Sequence, residues 1–256
     1  MKKLRVDELL VESGLAESRN MAQKLVLAGQ VFTENGLLLD KPSRTIAPQT
    51  HLHIRNFPRY VGRGGEKLEG FFLVHREDLH NLHALDVGAS TGGFTHFLLQ
   101  QGVASVVCVD VGHGQLHYKL RTDCRVTNLE GINARELSKI PLPRRQFDII
   151  VMDLSFISLK KVLTEAWKLL NFNGLAISLI KPQFEAKREE VNRGRGVIVD
   201  GAIHRRVCEE IRQYAIEQLH NCQVIAEIPS PIAGADGNRE FFIGLRKVQS
   251  DSLASS

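Results

Sequence analysis

Ala84-Leu85-Asp86-Val87-Gly88-Ala89-Ser90-Thr91-Gly92-Gly93-Phe94 runs as an apolar strand into a glycine-rich turn and on into a helix. Gly88 permits the tight turn, and Gly92 and Gly93 let a ligand approach the backbone. The spacing departs from the G-x-G-x-x-G fingerprint of dinucleotide sites. An acid, Asp86, stands just before the first glycine, where it repels a pyrophosphate and attracts an ammonium. At the end of the next strand, Val106-Val107-Cys108-Val109-Asp110 offers a carboxylate that can accept two hydrogen bonds from ribose hydroxyls. A ligand with an amino acid at one end and a nucleoside at the other is S-adenosylmethionine. The expected cofactor-binding residues are therefore Asp86, Gly88, Ala89, Ser90, Thr91, Gly92, Gly93 and Asp110. Asn128, Glu130 and Asn133, after the third strand, are the candidates for the adenine edge. A nicotinamide dehydrogenase on the same kind of fold is disfavoured by Asp86.

Outward from this turn, strands and helices alternate. Strands are expected at 82–87, 105–110, 125–129, 147–152, 174–180, 222–228 and 240–246, with helices at 66–77, 93–101, 159–170 and 202–220. Phe147-Asp148-Ile149-Ile150-Val151-Met152 is nearly continuous in apolar character, as a parallel strand covered on both faces requires. The pattern predicts a seven-stranded, doubly wound, Rossmann-like α/β sheet. Ahead of it the pattern differs. Leu4, Val6, Leu9, Leu10 and Val11 predict a short helix, and Ser18 caps a second carrying Met21, Ala22, Leu25 and Val26. Asn35-Gly36 between Val31-Phe32-Thr33 and Leu37-Leu38-Leu39 signals a hairpin, and 51–55 a further strand that breaks at Phe57-Pro58. The division expected is a small α+β module at 1–58, a linker at 59–64, the α/β body at 65–248 and a disordered polar tail at 249–256.

The 256 residues, 43% hydrophobic and 24% charged, suit a soluble globular protein. The charge is uneven: residues 1–65 hold ten Lys/Arg against six Asp/Glu, whereas residues 66–256 hold twenty-three of each. A small basic module on a neutral body points to a polyanion partner. Cys108, Cys124, Cys208 and Cys222 lack metal-ligand spacing and are expected as small buried hydrophobes in a reducing compartment; no metal site is expected. Met1-Lys2-Lys3-Leu4-Arg5 has no apolar run after its charges, unlike a signal peptide, and no stretch reaches the ~18–20 apolar residues that span a bilayer. A cytoplasmic protein that avoids membranes is expected.

Leu4-Arg5-Val6-Asp7-Glu8-Leu9-Leu10, Gly14-Leu15-Ala16-Glu17-Ser18-Arg19-Asn20-Met21-Ala22 and Gly29-Gln30-Val31 together resemble the S4 RNA-binding domain. The body resembles the FtsJ-like 2′-O-methyltransferases. Both in this order, with Tyr60-Val61-Gly62-Arg63-Gly64-Gly65-Glu66-Lys67-Leu68, Lys181-Pro182-Gln183-Phe184-Glu185 and Gly237-Asn238-Arg239-Glu240, resemble the TlyA/hemolysin A family of ribosomal RNA methyltransferases. The resemblance implies 2′-O-methylation of cytidine in ribosomal RNA, with ribosomal RNA or ribosomal subunits as partner. It places the family's catalytic Lys-Asp-Lys-Glu tetrad on Lys67, Asp153, Lys181 and Glu240.

A ribose hydroxyl is a poor nucleophile, so a base must take its proton as the methyl group moves. A neutral amine can do this, and a neighbouring cation, partial burial and a bound sulfonium all favour the neutral form. Lys181 is assigned as that base and Lys67 as the cation that polarises the substrate oxygen. Asp153 would orient Lys181, and Glu240 would hold Lys67. RNA contacts are expected from Arg5, Arg19, Lys24, Lys41 and Arg44 in the first module, and from Arg63, Arg188, Arg193 and Arg195 in the body. The segment 187–196 is read as a basic loop at the carboxyl side of the sheet, and Phe156 as the best stacking surface for a base. Two rival classes remain: a ribosome-assembly factor without catalysis, disfavoured by the intact tetrad, and a membrane-active hemolysin, disfavoured by the lack of a spanning segment.

Overall fold

The computed structural model describes residues 3–55, 59–234 and 236–249. The expected break at Phe57-Pro58 and the tail from 250 onward lie outside them. The chain divides into two compact units, 1–59 and 60–256.

The first unit runs β1 (Leu4–Arg5), α1 (Val6–Glu12), α2 (Arg19–Leu27), β2 (Val31–Thr33), β3 (Thr45–Ile46) and β4 (Leu52–Ile54). Ser18 caps α2 by accepting from the Met21 amide at 3.2 Å. Leu10, Ala22, Leu25 and Val26 bury the facing sides of the two helices over Val31 and Leu39. The Asn35-Gly36 turn forms, with Gly36 at φ +79°, but Leu37–Leu39 joins β2 only by the Phe32–Leu38 bridge. The ladder partner of β2 is β4, antiparallel, and Leu4–Arg5 pairs with β3 instead of starting the helix.

The second unit continues with α3 (Gly64–Val74), β5 (His83–Val87), α4 (Gly93–Gln100), β6 (Ser105–Val109), α5 (Tyr118–Arg121), β7 (Val126–Leu129) and a 3-10 turn at Ala134–Lys139. It ends with β8 (Phe147–Met152), α6 (Lys160–Lys168), β9 (Leu170–Ile180), α7 (Pro182–Glu185), α8 (Arg188–Arg193), α9 (Gly201–Gln218), β10 (Cys222–Pro229) and β11 (Phe241–Lys247). Residues 60–64, expected as linker, are part of this unit: the Tyr60 ring is buried beside Phe97.

Seven strands make one sheet in the order β10-β11-β9-β8-β5-β6-β7. The neighbours from β9 to β7 run parallel, and β11 is antiparallel to both β9 and β10. Successive side chains face opposite layers. Leu85, Val87, Ile150 and Met152 pack under α6 and α9, whereas Ala84, Val106, Ile149 and Val151 pack under α3 and α4. Strand order reverses between β5 and β8, so the turns after them diverge and open a crevice at the carboxyl ends. β9 is longer than its apolar run: Leu170 already pairs with Phe147 before a bulge restores the register at Leu175.

All four cysteines are free, but Cys124 is exposed and Cys208 and Cys222 are half-buried; only Cys108 matches the expected buried role. Among the described residues no helix is long and apolar enough to cross a membrane, and no group of three His, Cys, Asp or Glu side chains could hold a metal ion.

Candidate active site

Two glycines show why the turn is built as it is. Gly88 sits at φ +82°, and a Cβ there would stand 2.7 Å from the Asp153 carbonyl oxygen. At Gly93 a Cβ would come within 3.0 Å of the backbone of Gly62, Gly64 and Gly65. The first turns of α3 and α4 therefore touch backbone to backbone, which brings α3, and Lys67 on it, against the glycine turn.

Asp86 is buried at the end of β5. Its Oδ2 accepts from the Thr95 amide at 3.0 Å and the Thr95 hydroxyl at 2.6 Å. Its Oδ1 is buried with no hydrogen-bond partner among the described residues. Burial pushes this carboxyl up to about 7; the Thr95 hydroxyl pulls the other way, and the charge of Asp153 adds to the rise. An under-coordinated buried carboxylate in a cavity wall suits a cationic ligand group.

The tetrad converges because of register. Asp153 follows β8, Lys181 follows β9, and Glu240 precedes β11. Since β11 runs antiparallel and pairs Phe241 with Ile180, a residue before it reaches the same sheet end as residues after β8 and β9. Lys181 Nζ lies 2.6 Å from Asp153 Oδ1 and hydrogen-bonds to Ser155 Oγ at 2.9 Å. Lys67 Nζ lies 2.6 Å from Glu240 Oε2 and 3.8 Å from Asp153 Oδ2. Asp153 thus stands between two lysines that are 7% and 8% exposed, residues seldom buried unless paired. Two carboxylates set against two amines let the cluster tolerate burial.

One cavity of about 450 Å³ is lined by all four of these residues together with Asp86, Gly88, Ala89, Ser90, Thr91, Gly93 and Arg63. Gly64, Phe94, Ser155, Phe156, Gln183, Phe184 and Asp236 complete its wall. Of these, Gly64, Phe94, Ser155, Gln183, Phe184 and Asp236 were not among the expected site residues; Ser155 was within reach, two positions past Asp153. Phe156 stands at φ +63°, 89% exposed, its ring 5.2 Å from that of Phe184.

Gly92, Asp110, Asn128, Glu130 and Asn133 do not line that cavity. The carboxylate of Asp110 already accepts from the Ser90 amide at 2.8 Å and the Gly112 amide at 2.7 Å, leaving each oxygen a further lone pair. Asn128 donates to Glu130 at 2.9 Å. Asn133 caps the 3-10 turn by accepting from the Arg135 amide at 3.1 Å, so its oxygen has a structural role.

The expected RNA contacts divide. Lys24, Lys41 and Arg44 are exposed. Arg5 and Arg19 instead hold the buried Asp7, at 2.9 and 3.2 Å, although both keep part of their surface in solvent. Arg63 donates to the Ala233 carbonyl at 2.6 Å. The segment expected as a basic loop contains the short helix α8, held by Glu190, which accepts from the Lys187 amide at 2.9 Å and from Arg206 at 2.5 Å. Arg195, at φ +51°, lies beyond it in a stretch pinned by Asn238, whose side chain bonds the Gly196 carbonyl at 3.0 Å and the Ile198 amide at 2.9 Å.

The sheet order, the crevice and the glycine turn define a Rossmann-like methyltransferase. Residues 60–247 match the model of the FtsJ-like methyltransferase family, and residues 4–48 match the S4 domain. The chain belongs to the FtsJ-like methyltransferase family and carries an S4 domain ahead of the catalytic fold. It is 40% identical to Hemolysin A of Brachyspira hyodysenteriae over 93% of this chain and 98% of that one. It is 39% identical to the 16S/23S rRNA (cytidine-2′-O)-methyltransferase TlyA of Mycobacterium tuberculosis over 100% of this chain and 94% of that one. A solved Streptococcus thermophilus structure that carries the hemolysin name superposes with a TM-score of 0.74 at 39% identity, covering 98% of this chain and 90% of the other.

Proposed function

We propose that this chain transfers the methyl group of S-adenosylmethionine to the 2′-oxygen of a cytidine ribose in ribosomal RNA. The observation that carries the reading is the meeting of Lys67 and Lys181 at Asp153 in the cavity that also contains the glycine turn. The cytidine and the ribosomal RNA are the substrate in the name of the Mycobacterium tuberculosis relative. Work on ribosomal RNA would take place in the cytoplasm.

The residues present fit the cofactor. The unpartnered Asp86 Oδ1 suits its amino group, the backbone from Gly88 to Gly93 its close approach, and the remaining lone pairs of Asp110 its ribose hydroxyls. Asn128 and Glu130 are the candidates for the adenine edge. Bound S-adenosylmethionine supplies an electrophilic methyl group on a sulfonium.

The protein's own contribution is to prepare the oxygen. Lys67, held by Glu240, donates to the 2′-oxygen and keeps it in place. Lys181, held by Asp153, takes the proton. General-base assistance of this kind contributes ~10²–10⁴-fold, and orientation of the two reactants contributes more. Phe156 offers a face to the base, and the exposed cations of the S4 domain contact phosphates.

The test is transfer of labelled methyl groups to ribosomal subunits lacking the modification, followed by mapping of 2′-O-methylation. Label at a cytidine ribose is expected. Stable subunit binding without label would favour an assembly factor and overturn the reading.

A further inference from the structure

We propose that Ser155 is a positioning residue for Lys181, fixing the rotation of its amine so that the nitrogen lone pair is the one position left for the substrate hydroxyl. The inference rests on the methyltransferase reading above. A neutral lysine amine carries two N–H bonds and one lone pair, arranged tetrahedrally around nitrogen. Ser155 Oγ, at 2.9 Å, is the acceptor aligned on Nζ, whereas Asp153 Oδ1, at 2.6 Å, is an ion-pair partner without hydrogen-bond alignment. With one hydrogen fixed on Ser155 and the second drawn to the Asp153 charge, the lone pair takes the third direction. With Ser155 gone, the amine turns freely among three staggered positions, and the reactive direction is no longer selected.

Both partners of the amine come from the same four-residue segment. Asp153 leaves β8, and the chain bends at Phe156, an aromatic residue at φ +63°, where bulky side chains are rare. Such backbone strain persists where the surrounding structure needs it, often at functional sites. Here it keeps Ser155 in the cavity wall, within reach of the same amine that Asp153 holds. Phe184 lies on a further side, its ring centroid 5.9 Å from Nζ.

The step that Ser155 serves is the proton transfer. The 2′-O–H bond breaks and an N–H bond forms at the lone pair. The oxygen keeps the electron pair for its new bond to the methyl carbon, the carbon–sulfur bond breaks with its electron pair left on the departing thioether, and Lys181 becomes an ammonium. Ser155 neither gains nor loses a proton, and its contribution is orientation.

The experiment is steady-state methylation of ribosomal subunits by Ser155→Ala and Ser155→Thr beside the wild-type protein. For Ser155→Ala, kcat should fall about tenfold or more while KM for cofactor and for RNA stays within about twofold, as loss of orientation alone requires. Ser155→Thr keeps the hydroxyl and should regain most of that kcat. An unchanged kcat in Ser155→Ala overturns the proposal. So does a raised KM for RNA at constant kcat, which would make Ser155 a substrate contact, or a kcat loss that Thr does not repair. Absence of transfer by the wild-type protein would sink the functional reading itself, and this inference with it.

Discussion

Asp7 in the S4 domain and Asp86 in the catalytic domain are both buried carboxylates, yet their surroundings are opposite. Asp7 accepts from Arg5 twice at 2.9 Å, from Gln23 at 2.9 Å and from Arg19 at 3.2 Å, and Arg5 above all holds its carboxyl well below the usual range. Asp86 has donors on one oxygen only, and burial pushes it up. A saturated buried carboxylate is architecture. One left short of donors beside a cavity is a place for a ligand. The contrast also shows why the basic charge of the first domain overstates what is offered to RNA, since Arg5 and Arg19 are partly committed inside the fold.

The sharpest break of this comparison is to remove each carboxylate in turn. Asp7→Ala strands three donors around a buried site and should destabilise the S4 domain by roughly 2–3 kcal/mol, discounted because both arginines can return to solvent. Its urea transition should move down while cofactor affinity stays as it was. Asp86→Asn can still accept from Thr95, so the fold should hold, whereas cofactor affinity should drop about 30-fold, the worth of a charged hydrogen bond. Calorimetry and urea titration on both variants decide; a matching pair of stability losses would erase the distinction.

Acidity should separate the two further. Asp7 has a lowered folded pKa, so its stabilisation is present above the unfolded value near ~3.9 and fades as pH falls below it. Asp86 is raised to about 7, so ionising it in the fold is a cost that is absent in acid and grows as pH climbs toward that value. Asp86→Asn should therefore be more stable than the wild-type protein at alkaline pH, and equal to it near pH ~4. By the same linkage, a ligand ammonium prefers the ionised form, and wild-type cofactor affinity should fall roughly tenfold between pH 7 and about 5.5. Asp86→Asn should lose that dependence. The smallest effect is expected at the exposed cations: Lys41→Ala or Arg44→Ala should weaken RNA binding about two- to threefold and lower the salt slope by about one each.

The sequence made the catalytic domain more legible than the S4 domain. Val106–Val109 and Ile149–Met152 are buried on both faces, and an apolar run is enough to reveal such strands. Leu4–Arg5 and Thr45–Ile46 are two-residue strands with no period to read; only their mutual pairing creates them. The start of β9 was hidden in the same way, because Asn171 and Asn173 look like a turn until β8 lies alongside. Glycines and charges around 188–196 concealed α8, which depends on a Glu190–Arg206 ion pair sixteen residues apart. In the site, Lys67, Asp153, Lys181 and Glu240 were readable as a motif, but their contact distances depend on the antiparallel entry of β11, which no local pattern discloses. Asn133 is an amide after a strand, which suits a helix cap as well as an adenine edge, and its oxygen serves as the cap.

Lys181→Ala is the most direct trial of the catalytic account. Methyl transfer to ribosomal subunits should fall by about 10³-fold or more, as loss of an oriented general base requires, while S-adenosylmethionine Kd stays within about threefold. Transfer that persists near the wild-type rate, or a loss of cofactor binding equal to the loss of transfer, would contradict it.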